Sequence, residues 1–311
     1  MRRRLVALSA LAAVLTGCAA QPSPEAQAYA EHAIALMDDG LFATGDGWSD
    51  AKQRAEARIE AADDITETYD TLRSLARLAG GAHSVFLDPD EAEASETRAD
   101  ELETPTVAAS DGIGTLTLPA FNSGDDDLVR AYRDAALTEL GGAAVDCGWI
   151  VDLRGNVGGN MYPMLAAVAP LLPDGPAVLL REPEGGEEVT AVGDGDLILP
   201  GGDVLASGTA YRWSGPVAVL TDAGTASAAE AVRVGFAGRA DTRVFGVRTA
   251  GVPTGNVTHE LDDGAKLVLT TSRMVDRDGR VYDRRIAPDE VTDRGEAPSR
   301  AASWLAGACG R

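Results

Sequence analysis

The segment Thr225-Ala226-Ser227-Ala228-Ala229-Glu230 joins the apolar run 216–220 to a second apolar run, 231–236, that has helical spacing. A short apolar run, a glycine-containing turn and helical periodicity together predict strand, turn and helix. Ser227 would then lie in the first helical turn, where unpaired N–H groups and the helix dipole can stabilise an oxyanion. This position suits a serine nucleophile, although a serine that only caps the helix fits the same local pattern.

A second stretch, Trp149 to Asn160, reads WIVDLRGNVGGN and also ends an apolar strand in a glycine-rich turn before an apolar helix. Each motif lies between a strand and a helix, first DLRGN-GG and then TASAAE. This order resembles the tail-specific (C-terminal processing) serine peptidase family. GVRTAG at 246–251, a strand at 266–271 and IAPD at 286–289 follow in the family's order. The resemblance covers residues 113–289 and implies an α/β fold with a crotonase/ClpP-like β-α spiral core.

The composition indicates a folded and acidic protein. Of its 311 residues, 45% are apolar, which is enough for a full core. With 27 basic and 49 acidic residues, the net charge is −22, which argues against nucleic acid as a partner. The cysteine usage suggests no metal site, and the family resemblance implies no cofactor.

The N-terminus has the features of an export signal. Met1-Arg2-Arg3-Arg4 is basic, and 5–15 is apolar but too short to span a bilayer permanently. The sequence LTGC ending at Cys18 resembles a bacterial lipoprotein processing site, which removes a signal peptide (1–17) and places lipid on the cysteine. A tether, 18–24, would follow. We therefore expect a protein on the outer face of a bacterial cytoplasmic membrane that contacts the membrane only through its lipid, or a secreted protein with an ordinary signal peptide.

The other two cysteines are Cys147, just before a core strand, and Cys309, near the C-terminus. An even pair in an oxidising compartment predicts a disulfide that fixes the C-terminus to the core. Two buried free thiols are the alternative.

The chain divides into segments of different character. Three- and four-residue apolar spacing predicts a small helical N-terminal subdomain over residues 25–87. Residues 88–107 are acidic and poor in apolar residues, which predicts a linker and leaves no room for the PDZ module that much of the family carries there. Strands alternating with helices predict the α/β peptidase core over 108–311, with a hairpin insertion near 181–213.

A serine hydroxyl needs an adjacent base to take its proton. In the common branch of the family that base is a lysine, but Val252 occupies its place here, so a Ser-Lys dyad is not expected. His83, in GGAHSVF at 80–86, resembles the histidine base of the tricorn-like and retinoid-binding-protein-like branch. A histidine that caps a helix C-terminus fits the local pattern equally. We expect Asp283 to orient His83, although the family's acid aligns with Tyr282.

Backbone N–H groups of Ala228 and of Gly158 or Gly159 are expected to form the oxyanion hole, although these glycines could serve only to turn the chain. The motifs together predict a serine peptidase that cleaves polypeptides, internally or at carboxyl ends, with Ser227 as nucleophile and His83 as base. An inactive relative that binds a hydrophobic ligand or a peptide is one alternative. An α/β-hydrolase esterase is another, but its motif requires glycines two residues before and after the serine.

Overall fold

The computed structural model describes residues 23–97, 103–205, 208 and 210–310. The predicted signal peptide, Cys18 and most of the predicted tether lie outside these residues. Within the described part of the chain, no helix is long and apolar enough to cross a membrane.

Helices and strands alternate through most of the chain. The helices are α1 (Pro24–Met37), α2 (Gly45–Ile59), α3 (Tyr69–Gly80), α4 (Pro89–Thr97), α5 (Asp126–Gly142), α6 (Met161–Val168), α7 (Ala228–Gly235) and α8 (Ala297–Ala308). The strands are β1 (Val85–Leu87), β2 (Thr106–Ser110), β3 (Ile113–Thr117), β4 (Gly148–Asp152), β5 (Gly175–Arg181), β6 (Glu187–Gly193), β7 (Asp196–Ile198), β8 (Val204–Leu205), β9 (Val217–Thr221), β10 (Thr242–Gly246), β11 (Thr254–Glu260), β12 (Lys266–Val275) and β13 (Glu290–Val291).

The core sheet has six strands in the order β13-β10-β9-β4-β3-β2. All neighbouring strands in it are parallel except β2 and β3. Its two central strands, β4 and β9, are apolar on both faces because helices cover both sides. Trp149 and Val219 face the cluster that contains α5, α6 and α7, whereas Ile150 and Leu220 face α8. The predicted α/β fold class is confirmed.

A second sheet has seven antiparallel strands. Its order is β1-β12-β5-β6-β7-β8, with β11 paired to β12. The glycine-rich region 181–213, where sequence predicts an insertion, contributes β6, β7 and β8 to this sheet, and their hairpin begins earlier, with β5. Met274 of β12 and Val178 of β5 pack in the same hydrophobic cluster as α6 and α7.

The N-terminal helices share their core with the second sheet. Leu72 and Leu75 of α3 pack in one cluster with Phe86 of β1 and with Leu267 and Leu269 of β12. The α3 helix leads directly into a short 3₁₀ turn, Gly81–His83, and then into β1. The segment that carries His83 is therefore fixed between a helix and a strand.

Residues 88–107, predicted to be a linker, contain the helix α4. Asp88 and Glu91 form a reciprocal capping pair: the Glu91 N–H donates to the Asp88 carboxylate at 2.9 Å, and the Asp88 N–H donates to the Glu91 carboxylate at 3.1 Å. This arrangement satisfies two N–H groups that a helix start leaves unpaired. The acidic residues that suggested a linker thus begin a helix, whose Ala92 is buried.

A disulfide joins Cys147 to Cys309, with a Cα–Cα distance of 5.5 Å. It connects the start of β4 to the end of α8, whose Leu305 packs against Ile150 and Ala218. The C-terminal helix is therefore fixed to the core sheet both by apolar packing and by a covalent bond.

We expect Cys309→Ser to lower the free energy of unfolding by about 2–4 kcal/mol, because it releases a long closed loop in the unfolded chain. Urea unfolding under oxidising conditions measures the difference. The parent protein in dithiothreitol is the matched control, and its midpoint should approach that of the variant. Equal midpoints for the oxidised parent and Cys309→Ser would contradict this account.

Candidate active site

The turn between β9 and α7 holds Ser227 in a conformation that non-glycine residues rarely adopt. Ser227 is the N-cap of α7, with φ 51° and ψ −115°. Such a conformation costs about 1–3 kcal/mol and persists only where the surrounding structure fixes it. The Ser227 turn is therefore a strained point at the start of a helix, and its neighbours must hold it there.

The buried carboxylate of Glu230 fixes this turn. It accepts hydrogen bonds from the Ser227 N–H (3.0 Å), the Thr249 hydroxyl (2.5 Å), the Gly251 N–H (3.0 Å) and the Val252 N–H (2.9 Å). Burial raises the pKa of Glu230, and the four donors oppose that shift because they stabilise the charged form. One side chain thus joins the Ser227 turn to the loop that follows β10.

The glycine-rich turn after β4 lies directly against Ser227. A Cβ atom on Gly158 would lie 2.8 Å from the Ser227 Cβ and 3.0 Å from the Ala228 nitrogen, so a larger residue does not fit. Asn156 holds the two turns together. Its side-chain oxygen accepts from the Gly158 N–H (2.9 Å), and its backbone oxygen accepts from the Ala226 N–H (3.0 Å).

The N–H groups predicted for the oxyanion hole differ in their availability. The Gly158 N–H already donates to Asn156. The N–H groups of Gly159 and Ala228 make no hydrogen bond within the described part of the chain. Gly159 has a φ of 119°, and a Cβ there would lie 2.0 Å from the Phe121 oxygen, so its backbone requires glycine. Two free donors therefore remain on the turns that flank the serine.

Ser227 lines a cleft of about 290 Å³. Gly159 and Ala228 line the same cleft, and Thr254 of β11 lies on its wall. Other side chains give the cleft an apolar surface with two carboxylates, namely Met161, Leu180, Val257, Met274, Glu182 and Glu188. Residues from both sheets thus meet around the serine.

His83 is connected to this cleft through Thr254. The His83 Nδ1 lies 2.7 Å from the Thr254 Oγ1, and the Asn256 amide donates to the His83 carbonyl oxygen at 3.5 Å. When Nδ1 carries the proton it donates to Thr254, and Nε2 is left with the free lone pair that a general base needs. Burial lowers the pKa of His83, which favours the neutral imidazole.

Contrary to the prediction, the structure does not pair Asp283 with His83. The Asp283 carboxylate accepts from the Arg284 Nε at 2.8 Å, which lowers its pKa. Tyr282, the other position considered, is buried and donates its hydroxyl to Asp276 at 2.8 Å. The hydrogen-bond partner of the His83 ring is instead the neutral hydroxyl of Thr254. Sequence reasoning missed it because the two residues are 171 positions apart and threonine is not an acid.

Comparisons with known proteins identify the family of this chain. Residues 112–292 match the family described as Peptidase family S41. The chain belongs to peptidase family S41. The predicted tail-specific peptidase family is thereby confirmed, and this S41 protein is a serine peptidase. Among the described residues, no group of three His, Cys, Asp or Glu side chains could hold a metal ion.

Two relatives of this S41 peptidase are similar over nearly its whole length. The nisin-resistance protein of Lactococcus lactis subsp. lactis is 30% identical over 286 residues, which cover 91% of this chain and 87% of the relative. A lipoprotein structure from Streptococcus agalactiae is 27% identical with a TM-score of 0.80, covering 92% of this chain and 97% of that one. The photosystem II D1 C-terminal processing protease shares the fold at 19% identity, with a TM-score of 0.61 over 87% of this chain and 94% of that one.

We expect Glu230→Gln to lower the free energy of unfolding by about 2–4 kcal/mol, because an amide nitrogen would face N–H donors in a buried site. The same variant should lose reaction of Ser227 with a fluorophosphonate probe, since the turn loses its support. Urea unfolding and labelling measure the two effects.

The matched control is Glu25→Gln, which changes an exposed first-turn glutamate of α1. It should alter the free energy of unfolding by less than about 0.5 kcal/mol. A Glu230→Gln protein as stable and as reactive as the parent would show that the four hydrogen bonds do not support the serine.

Proposed function

We propose that this S41 peptidase cleaves polypeptides with Ser227 as nucleophile and His83 as general base. The observation that carries the proposal is that Ser227, held at positive φ, lines the same cleft as Thr254, the hydrogen-bond partner of His83. A neutral imidazole hydrogen-bonded to Thr254 on the cleft wall, and a serine whose backbone is fixed by Glu230, would supply the base and the nucleophile that acyl transfer needs.

In the proposed reaction, the Ser227 hydroxyl attacks the carbonyl carbon of the scissile peptide bond while the His83 Nε2 takes its proton. The N–H groups of Gly159 and Ala228 stabilise the negative oxygen of the tetrahedral intermediate. The protonated His83 then gives its proton to the departing amine, which leaves an acyl-enzyme. A water molecule, activated by His83, attacks that ester and releases the second product.

Thr254 gives this site a different charge from that of a serine-histidine-aspartate triad. A hydroxyl that accepts from Nδ1–H fixes the tautomer and the ring orientation. Unlike a carboxylate, it adds no negative charge to stabilise the imidazolium that forms during attack. We therefore propose a Ser-His dyad in which Thr254 orients the base.

We propose that the protein acts outside the cytoplasm. The LTGC sequence ending at Cys18 and the similarity to a Streptococcus agalactiae lipoprotein support a lipid-anchored form. Two substrates are the first to test. One is nisin, because the Lactococcus lactis relative is named a nisin-resistance protein. The other is a polypeptide processed at its C-terminus, because similar proteins of Tetradesmus obliquus (29% identical over 170 residues) and Bacillus subtilis (26% identical over 155 residues) are named C-terminal processing peptidases.

A fluorophosphonate probe tests the proposal directly. The parent should be labelled, whereas Ser227→Ala and His83→Ala should not, because the first lacks the nucleophile and the second lacks the base. His32→Ala is the matched control, since His32 is an exposed histidine of α1. Labelling that survives in His83→Ala would mean another base. A folded parent that is never labelled would favour the alternative of a ligand- or peptide-binding protein.

We expect kcat/KM to fall as the pH falls, with a midpoint below 6.5. The lowered pKa of His83 keeps its base form populated below the pH at which an unperturbed histidine is protonated. A pH series on one peptide substrate measures the midpoint. Thr254→Ser keeps the hydroxyl and should retain the profile, whereas Thr254→Val should lower kcat more than it changes KM. A midpoint above 6.5 in the parent would contradict the assignment.

A further inference from the structure

The cleft beside Ser227 continues into a second cavity. This second cavity measures about 460 Å³ and reaches the loop that follows α1. The two cavities share Glu182, Val257 and Thr271 as lining residues, so together they form one groove. Thr271 lies at an irregularity in the pairing of β11 with β12, where it has no partner on β11. A polypeptide bound at Ser227 thus has a continuous path across the second sheet.

The charged residues that line this groove are nearly all acidic. Within the described part of the chain, neither cavity is lined by a lysine or an arginine. The acidic lining residues are Asp38, Asp39, Glu182, Glu184 and Glu188. Lys52 forms an ion pair with Asp38 at 2.7 Å. The other four carboxylates form no ion pair with any described residue.

Side chains alternate between the two faces along β5 and β6, and this alternation places Glu182 and Glu188 on the groove side. Leu180 lies directly opposite Glu188, and Arg181 lies directly opposite Glu187. Directly opposed residues share a face and successive residues alternate, so Leu180, Glu182 and Glu188 share the groove face. The Arg181–Glu187 ion pair, at 2.5 Å, lies on the opposite face. Arg181, the only arginine of this fully described hairpin, is thus paired on the side away from the groove. The carboxylates of Glu182 and Glu188 lie diagonally to each other and face the groove without a compensating cation.

A second polar group lines the groove without a protein partner. Ser272 is 4% exposed, lines the cleft beside Ser227, and its hydroxyl makes no hydrogen bond to any described residue. Buried polar groups are ordinarily hydrogen-bonded, so an unpartnered hydroxyl on a cleft wall indicates a position where a ligand or water completes the bond. Glu182 and Glu188 also line this face of the groove without an ion-pair partner among the described residues, which favours a positively charged ligand there. Both features are explained by the same occupant.

We propose that the groove binds a lysine or arginine side chain of the polypeptide substrate between Glu182 and Glu188, with Ser272 contacting the same bound segment. The inference rests on the proposed peptidase function and assigns its specificity. The aliphatic part of the basic side chain packs on Leu180, and its charged end is neutralised by the two carboxylates. The substrate class is therefore a cationic polypeptide.

Matched fluorogenic peptides test this with the full chain. A single position is varied among lysine, norleucine and glutamate, and that position is moved along both sides of the scissile bond. At one or more positions, kcat/KM for lysine should exceed that for norleucine by about fivefold. This preference should shrink in 1 M salt, where the Debye length is about 3 Å.

In the Glu182→Gln/Glu188→Gln double variant the lysine-to-norleucine ratio should approach one, and Glu188→Lys should reverse the order of lysine and glutamate. Glu187→Gln, on the other face of the same hairpin, is the matched control and should keep the parental ratio. A parental ratio of one at every position, or a ratio unchanged in the double variant, would overturn the inference.

A binding measurement separates this inference from the peptidase proposal, because it needs no turnover. Ser227→Ala should bind the lysine peptide about fivefold more tightly than the norleucine peptide. Equal affinities, together with fluorophosphonate labelling of the parent, would overturn the specificity and leave the peptidase proposal standing. A preference for the lysine peptide in a protein that the fluorophosphonate does not label would support the specificity and overturn the peptidase proposal.

Discussion

The arrangement around Ser227 depends on one buried carboxylate. Glu230 has no exposed surface and would be costly to bury as an ion without compensation. Four donors compensate it, and they come from the Ser227 turn and from the loop after β10. Thr249 extends the network, because its hydroxyl also accepts from the Ile286 N–H at 2.8 Å. The strain at Ser227 can therefore persist, since relaxing that turn would remove a partner from a buried charge.

A second carboxylate joins the two turns that meet at the serine. Asp222 follows β9 and accepts from the N–H groups of Gly155 and Gly224, both at 2.9 Å, while its other oxygen pairs with Arg294 at 3.0 Å. β4 and β9 are adjacent and parallel, so their carboxyl ends meet at one edge of the sheet. Open α/β sheets bind ligands at that edge. The cleft thus lies there because of the order of the strands, and Asp222 sets the separation of the two turns.

The features that sequence predicted well are local ones. The turns at 154–160 and 224–230 follow apolar strands, and each pattern can be read within about a dozen residues. Contacts between segments that are distant in the sequence were harder to predict. The pairing of His83 with Thr254 depends on how β1 and β11 lie on either side of β12, and no short pattern encodes that arrangement. The Asp283 prediction failed because an aspartate beside an arginine in an exposed turn has a nearer partner.

The proposed base and nucleophile belong to different layers of the protein. Ser227 stands at the edge of the core sheet, whereas His83 lies between α3 and β1 and is held by β11 of the second sheet. The second sheet reaches the core sheet's helices through Met274, and reaches the N-terminal helices through Leu267 and Leu269. The distance between base and nucleophile is therefore set by apolar packing on both faces of β12. A change in that packing would alter the proposed dyad without touching either residue.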